Sequence, residues 1–307
     1  MTFETNHRLV IEKITKRYDG HAVVEDLSFT VEPGRITGFL GPNGSGKSTT
    51  MKVLLDLAAA DHGTTTIGGH RYRDLPDPAG TVGVVLEPNA FHPGRSGRNH
   101  LRTLAEATGL SLQRVDETLA DVGLSPEAAR RRVGTYSLGM KQRLSLAGAL
   151  LTDPPVLILD EPANGLDPQG IRELRDLLRA RAARGHTVLV SSHLLTEVEH
   201  LVDDVVVINE GRLVTTGTVA DLTRGSARVR TPHPTRLAEQ LTAAGARVET
   251  TGPEMLLITG LELDRIGDTA YEAGVVLHEL SAQAGSLEDV FFSLTNATTS
   301  PQEALVP

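Results

Sequence analysis

The chain has 307 residues, 39% hydrophobic and 22% charged, with a net charge of -9 and a pI of about 5.7. That length supports a large core and, by size, two domains, while the acidic balance argues against a non-specific grip on nucleic acid. The absence of cysteine excludes disulfides, Cys-ligated zinc and thiol catalysis.

No stretch approaches the roughly 18 apolar residues of a membrane span, and Met1 to Arg8 lacks an apolar signal-peptide centre. The expectation is a cytoplasmic protein that reaches a membrane only through a partner. Leu9 to Tyr18 carries a strand-like Leu-Val-Ile run that ends at Asp19-Gly20, a strong turn dipeptide. Ala22 to Val31 resumes with partial alternation, so the two predict a small antiparallel sheet. Pro33-Gly34 then turns the chain into a buried strand, Arg35 to Leu40.

Gly41-Pro42-Asn43-Gly44-Ser45-Gly46-Lys47-Ser48-Thr49 follows and fits G-x-x-x-x-G-K-[ST], the P-loop. Thr49 to Ala60 carries Met51, Leu54, Leu55 and Ala58 at helical spacing. Strand, loop and helix are the context that motif needs. Its glycines let successive N–H groups face one concavity, and the helix adds its positive dipole end. Lys47 is then set to reach the β and γ phosphates of a nucleotide, and Ser48 to bind Mg²⁺.

Gly63 reads as a helix stop, and Thr64 to Ile67 with the glycine pair after it as an edge hairpin. Val82 to Leu86 is a short apolar run of the buried parallel type, closing on Glu87-Pro88-Asn89. From Asn99 to about Arg132 the pattern is helical, a mostly helical insert between two sheet segments. The run Arg130-Arg131-Arg132 reads as a solvated helix end. Tyr136 to Arg143 leads into an apolar helix, Leu144 to Leu151, which Pro154-Pro155 ends. Val156 to Leu159 is a second buried strand and closes on Asp160-Glu161-Pro162. After the tight turn Asn164-Gly165-Leu166-Asp167 come a helix from Ile171 to Ala183, a strand from Thr187 to Ser192 ending at His193, and a helix near Leu195. Val205 to Ile208 and Arg212 to Val214 are further strands. Strands alternating with helices indicate a parallel α/β sheet.

A boundary falls near Asp221 to Gly225. Beyond it the pattern reads as a strand at 227–230, a helix at 235–244, strands at 246–249 and 255–258, a helix at 262–273, a strand at 275–280 and a last helix at 287–294. That order, βαββαβ, is the order of a ferredoxin-like unit. The tail from Asn296 to Pro307 is polar and is expected to be flexible.

Asp160 ends a buried strand, where a P-loop protein places the carboxylate that holds Mg²⁺. Glu161 follows, expected to be held extended by Pro162, and a carboxylate there can act as general base on an attacking water. His193 ends the next strand. Ligands collect at the carboxyl ends of strands in such sheets, so Lys47, Asp160 with Glu161, and His193 are placed on one edge.

In this order the motifs resemble an ABC transporter ATPase subunit over residues 9 to about 220. Ser137-Leu138-Gly139-Met140 is similar to the S-G-G-Q signature, with Leu138 and Met140 as departures and Lys141-Gln142-Arg143 kept. Asn164 to Asp167 resembles the D-loop, His193 the switch histidine, and Tyr18 the aromatic that stacks on adenine. Glu87 stands where the family usually has a glutamine; it keeps an oxygen ligand for Mg²⁺ or the attacking water but adds a charge and loses an amide donor. The C-terminal Gly285 to Phe291 looks like the drug- and antibiotic-exporter branch, the daunorubicin-resistance type.

The resemblance implies an α/β P-loop NTPase domain at residues 1–222, with a parallel core, an antiparallel β subdomain and a helical subdomain at about 88–152. A small α+β accessory domain would follow at 223–295. It implies ATP and Mg²⁺ as cofactors and a homodimer that sandwiches ATP, with Ser137 and Gly139 completing the opposite subunit's site and Asp167 counted among the nucleotide-binding residues. It also implies a separate ABC-2 type membrane permease, so that the protein sits on the inner face of the membrane. Two other readings compete: a soluble ATPase of this type acting on ribosomes or DNA, and a regulatory, non-hydrolysing binder. One ATPase half, no cysteine and no long heptads weigh against the first. Intact Lys47, Asp160, Glu161 and His193 oppose the second.

Overall fold

The computed structural model describes residues 7–86, 91–193, 199–223, 225–283 and 287. They divide into two compact units at Gly217/Thr218, a few residues before the boundary expected from composition.

In the first unit, β1 (Leu9–Tyr18) and β2 (His21–Val31) form an antiparallel hairpin. Asp19 and Gly20 both take positive φ, 50° and 83°, the backbone a two-residue hairpin turn of matching twist requires. β3 (Ile36–Leu40) is fully buried and leads through the P-loop into helix α1 (Lys47–Leu54). The expected helix to Ala60 stops early. Asp56 turns left-handed at φ 54°, and its carboxylate accepts the backbone N–H of Arg73 at 3.0 Å and the guanidinium at 2.6 Å. Ala58 and Ala60 pack against the core from the loop instead.

β4 (His62–Ile67) pairs antiparallel with β1, giving the sheet order β2-β1-β4. Gly63 is therefore a strand residue rather than a helix stop, while the glycine pair makes the expected turn on this edge strand, with Ile67 and His70 exchanging backbone hydrogen bonds at 2.7 and 3.1 Å around Gly68 and Gly69. At φ 83° a Cβ on Gly63 would collide with the carbonyls of Glu12 and Lys13, so only glycine lets β4 lie this close to β1.

The short helix α2 (Pro78–Thr81) precedes β5 (Val82–Val85). The insert consists of α3 (Gly97–Ala107), α4 (Leu112–Asp121) and α5 (Pro126–Arg130), capped by Ser96, Ser111 and Ser125. Then come α6 (Leu138–Leu150), β6 (Val156–Leu159), α7 (Pro168–Ala183), β7 (Thr187–Ser192), β8 (Asp204–Asn209) and β9 (Arg212–Thr218). Both helices begin earlier than their apolar patterns suggest, because Ser137 and Asp167 cap them. The six-stranded sheet runs β5-β6-β7-β3-β8-β9, with β5/β6, β6/β7, β3/β7 and β3/β8 parallel. Strands β3, β6 and β7 therefore end side by side on one edge.

The second unit begins with α8 (Val219–Leu222) and continues with β10 (Ser226–Arg230), α9 (Pro234–Ala243), β11 (Arg247–Gly252), β12 (Met255–Thr259), α10 (Leu263–Glu272) and β13 (Glu279–Gln283). Its sheet is ordered β11-β12-β10-β13 with every neighbouring pair antiparallel, the ferredoxin-like arrangement. The last strand starts at Glu279 rather than Val275. The backbone N–H of Val275 closes the helix end on Ala270 O at 2.9 Å, and its buried side chain joins the core from that turn. The helices expected near Leu195 and at 287–294, the Gly285 to Phe291 motif taken whole, and the tail fall outside the described residues.

At the start of β7, away from the motifs, His186 lies beside Arg181, Arg184 and His7, with Asp153 opposing them. Burial first, then the two guanidinium charges, hold its pKa below the usual histidine value. His7 and His100 are lowered too, chiefly by burial. Between those depressed values and about pH 6.5 the unfolded chain binds more protons than the folded one. Stability from these three groups is then fully present above about pH 6.5 and lost as the pH falls through their folded values. The melting temperature is expected to fall by about 2–5 °C between about pH 7.5 and 5.5, less steeply for His186→Asn, as differential scanning calorimetry would read.

Candidate functional site

The P-loop is held by its neighbours before any ligand arrives. Gly211 N donates to Ser45 O at 3.0 Å, and Glu25 N to Gly211 O at 2.9 Å, which seats the loop between β2 and the β8–β9 turn. Gly46 adopts φ 102°, and a Cβ there would lie 2.7 Å from the carbonyl of Val23. Position 46 therefore demands glycine twice, by backbone conformation and by space.

The loop is equipped for an anion. Among the described residues no side chain caps the N-terminus of α1, which leaves its first-turn N–H groups available. Ser45 Oγ is buried without a partner among the described residues. Lys47, 6% exposed, folds its ammonium onto Gly41 O at 2.7 Å and Pro42 O at 3.1 Å. Burial lowers its pKa, opposed by the charges of Glu161 and Asp160. Pro42, Asn43 and Gly44 are exposed at the loop's crown, and Thr49 continues the first turn of the helix.

Asp160 follows the last residue of β6 and is 7% exposed. Both its oxygens are engaged: Ser48 Oγ donates to Oδ2 at 2.5 Å, and Ser191 Oγ donates to Oδ1. Glu161 has φ 50°, so it is left-handed rather than extended as Pro162 suggested. The turn bond from Asn164 N–H to the Glu161 carbonyl, at 3.2 Å, and two side chains hold the peptides on either side of this residue. Ser191 Oγ accepts its N–H at 2.9 Å, and Gln142 Nε2 donates to its carbonyl at 3.4 Å. The Glu161 carboxylate lies 3.9 Å from Lys47 Nζ and 2.9 Å from His193 Nδ1. Lys47, Ser48, Asp160, Glu161 and His193 thus form one connected cluster on the edge where β3, β6 and β7 end.

The signature residues sit at the start of α6. Ser137 caps that helix by accepting Met140 N at 3.2 Å. Gly139 faces the turn before α7, where a Cβ would be 2.7 Å from Gly165 O. Asp167 caps α7 by accepting Gly170 N at 2.8 Å. Tyr18 ends β1 half exposed, with Lys16 Nζ 5.0 Å from its ring centroid. Glu87 lies outside the described residues. Motif reading gave no role to Ser191 or to Gln142; a serine directly after the apolar run Val188 to Val190, in a fully buried strand, was the available signal for the first.

Comparison with known proteins agrees with this geometry. The ABC transporter family matches residues 24–164, and a domain of unknown function (DUF8746) matches residues 225–288. The bacitracin transport ATP-binding protein BcrA of Enterococcus faecalis is 40% identical over 214 residues, 69% of each chain. The Nod factor export ATP-binding protein I of Burkholderia orbicola is 36% identical over 291 residues, covering 92% of this chain and 95% of that one. Among solved structures, an ATP-binding subunit of an ABC transporter has a TM-score of 0.64 and 31% identity, covering 70% of this chain and 92% of that one.

Gly46→Ala is expected to weaken ATP binding by about tenfold or more, since one misplaced loop peptide disturbs several N–H donors together. Isothermal titration with ATP would read it, and unchanged affinity would contradict the strained-loop account.

Proposed function

The chain belongs to the ABC transporter ATP-binding proteins, and we propose that its ATP hydrolysis drives export of a drug, antibiotic or similar small amphipathic compound through a separate ABC-2 type permease. One observation carries the export reading. Similarity to a Nod factor export ATP-binding protein runs over 92% of the chain, reaching well into the second unit. The similarity to BcrA, a bacitracin transport protein, adds the antibiotic class.

The cluster supports a direct hydrolytic route. ATP phosphates take the place the P-loop offers, and the Lys47 ammonium exchanges the carbonyls of Gly41 and Pro42 for phosphate oxygens. Glu161 accepts a proton from water as its oxygen attacks the γ-phosphorus, and the bond to ADP breaks. His193, hydrogen-bonded to Glu161, contacts the γ-phosphate and fixes the base's carboxylate. Ser48 and Asp160 present two hard oxygens that already approach to 2.5 Å. This suits Mg²⁺, which binds one or two protein oxygens and completes its shell with phosphate and water. No group of three or more His, Asp or Glu among the described residues would hold a metal alone. When bound, the ion supplies charge neutralisation for the phosphates. Glu87 is assigned as a further oxygen ligand on the path to the permease, and Tyr18 as the adenine platform.

Two copies are required in this reading. Gly139 lets backbone approach the other copy's γ-phosphate, while Ser137 donates to it and Asp167 holds the adjoining turn. Among the described residues no helix is long and apolar enough to cross a membrane, so the span falls to the permease on whose cytoplasmic face the pair docks.

Glu161→Gln is expected to bind ATP, remain a closed dimer by size-exclusion chromatography, and hydrolyse at least about 100-fold more slowly. Wild-type phosphate release would remove Glu161 from the base role. For export, the neighbouring gene is expected to encode a product with six apolar spans whose co-expression lowers cellular accumulation of an antibiotic. A ribosomal or repair context would overturn that assignment.

A further inference from the structure

We infer that Ser191 and Gln142 are positioning residues that clamp both peptide groups of Glu161 and so aim its carboxylate at the attacking water. This inference rests on the base role proposed for Glu161.

Three observations converge on it. First, Glu161 holds φ 50°, a conformation that is unfavourable for a non-glycine residue and persists only where surroundings impose it. Second, the groups that impose it come from separate elements. Ser191 belongs to β7 and is fully buried; its hydroxyl accepts from Glu161 N–H while donating to Asp160 Oδ1. One hydroxyl therefore sets the spacing between the base and the Ser48–Asp160 pair. Third, the Glu161 carbonyl, which accepts Asn164 N–H at 3.2 Å in the local turn, also takes a hydrogen bond from Gln142, 2% exposed on α6, whose own Oε1 is buried without a partner among the described residues. A buried amide with an idle acceptor is a costly choice if packing were its only task, because an apolar side chain would fill the space without that penalty. Its one engaged atom is the one touching Glu161.

The clamp also has a direction. Gln142 lies on the helix whose first turn holds Ser137 and Gly139, so a shift of that turn is carried to Glu161 of the same chain. In the proposed dimer those residues face the other nucleotide. Gln142 then links occupancy of one site to the aim of the base in the other.

The test uses the full-length chain, with Ser191→Ala, Ser191→Thr and Gln142→Met made alone and in the Glu161→Gln background. Steady-state hydrolysis of MgATP gives kcat and KM, and single-turnover assays with labelled ATP give the slow rates. Ser191→Ala and Gln142→Met are each expected to lower kcat about 10- to 100-fold, the scale of a misplaced reacting group, with KM held within about twofold. Ser191→Thr, which keeps the hydroxyl, is expected to recover most of the rate. In the Glu161→Gln background neither change is expected to slow the residual reaction further, since residues acting as a unit are not additive. Wild-type kcat in Ser191→Ala and Gln142→Met, losses that multiply with Glu161→Gln, or collapse of both folds would each overturn the clamp. Wild-type hydrolysis by Glu161→Gln itself would instead sink the base assignment beneath it.

Discussion

The hydrogen-bond chain from Ser48 through Asp160 and Ser191 to the backbone of Glu161 is the interaction on which the site depends. It joins the start of α1 to the ends of β6 and β7, and it exists because parallel pairing brings those ends to one level. A carboxylate as buried as Asp160 is tolerated only when its oxygens are satisfied, and both are. Lys47 is satisfied likewise, by two carbonyls and by the nearby Glu161 carboxylate. The charges that will meet a triphosphate are thus balanced within the protein and need only exchange partners. Little reorganisation is left for the chemical step, as a preorganised electrostatic site requires.

A second constraint ties the helical insert to this cluster. Gly139 and Gly165 allow the start of α6 and the turn before α7 to approach within a distance no Cβ would permit, with Leu138 packed over Gly165. Arg143 fastens the same helix further along, donating to Val122 O at the end of α4 and to Glu173 on α7, each at 2.7 Å. The signature turn, the turn ending at Asp167 and the backbone of Glu161 are therefore linked in one unit by close packing and hydrogen bonds. The departures from S-G-G-Q fall where that packing tolerates them. Leu138 lies half exposed against Gly165, whereas the glycine that closeness demands is kept.

The parts legible in sequence were those set by local rules. The P-loop, the apolar strands ending at Asp160 and His193, and the Asp19-Gly20 hairpin follow from spacing and turn chemistry. What escaped was decided by distant partners. Asp56 ends α1 early because Arg73, 17 residues on, donates to its carboxylate. Gly63 serves a strand contact with residues 12 and 13 rather than a helix end. At Glu161 the following residue, Pro162, pointed to an extended backbone, whereas the turn bond to Asn164 N–H and two tertiary hydrogen bonds hold a left-handed one. A neighbour in sequence biases a backbone; partners fixed by the whole fold decide it.

The second unit is built on a different principle. Its core, Val229, Leu237, Leu241, Leu256, Ile258 and Ile266 among others, comes from its own strands and two helices. Similarity to BcrA covers 69% of the chain, whereas similarity to the Nod factor export protein covers 92%. Every residue of the cluster proposed to hydrolyse ATP lies between Gly41 and His193, within the first unit. A unit with its own core can vary in sequence while every residue of the Ser48–Asp160–Ser191 chain stays the same. Chemistry common to the family and features peculiar to one transporter can therefore reside in separate parts of one chain.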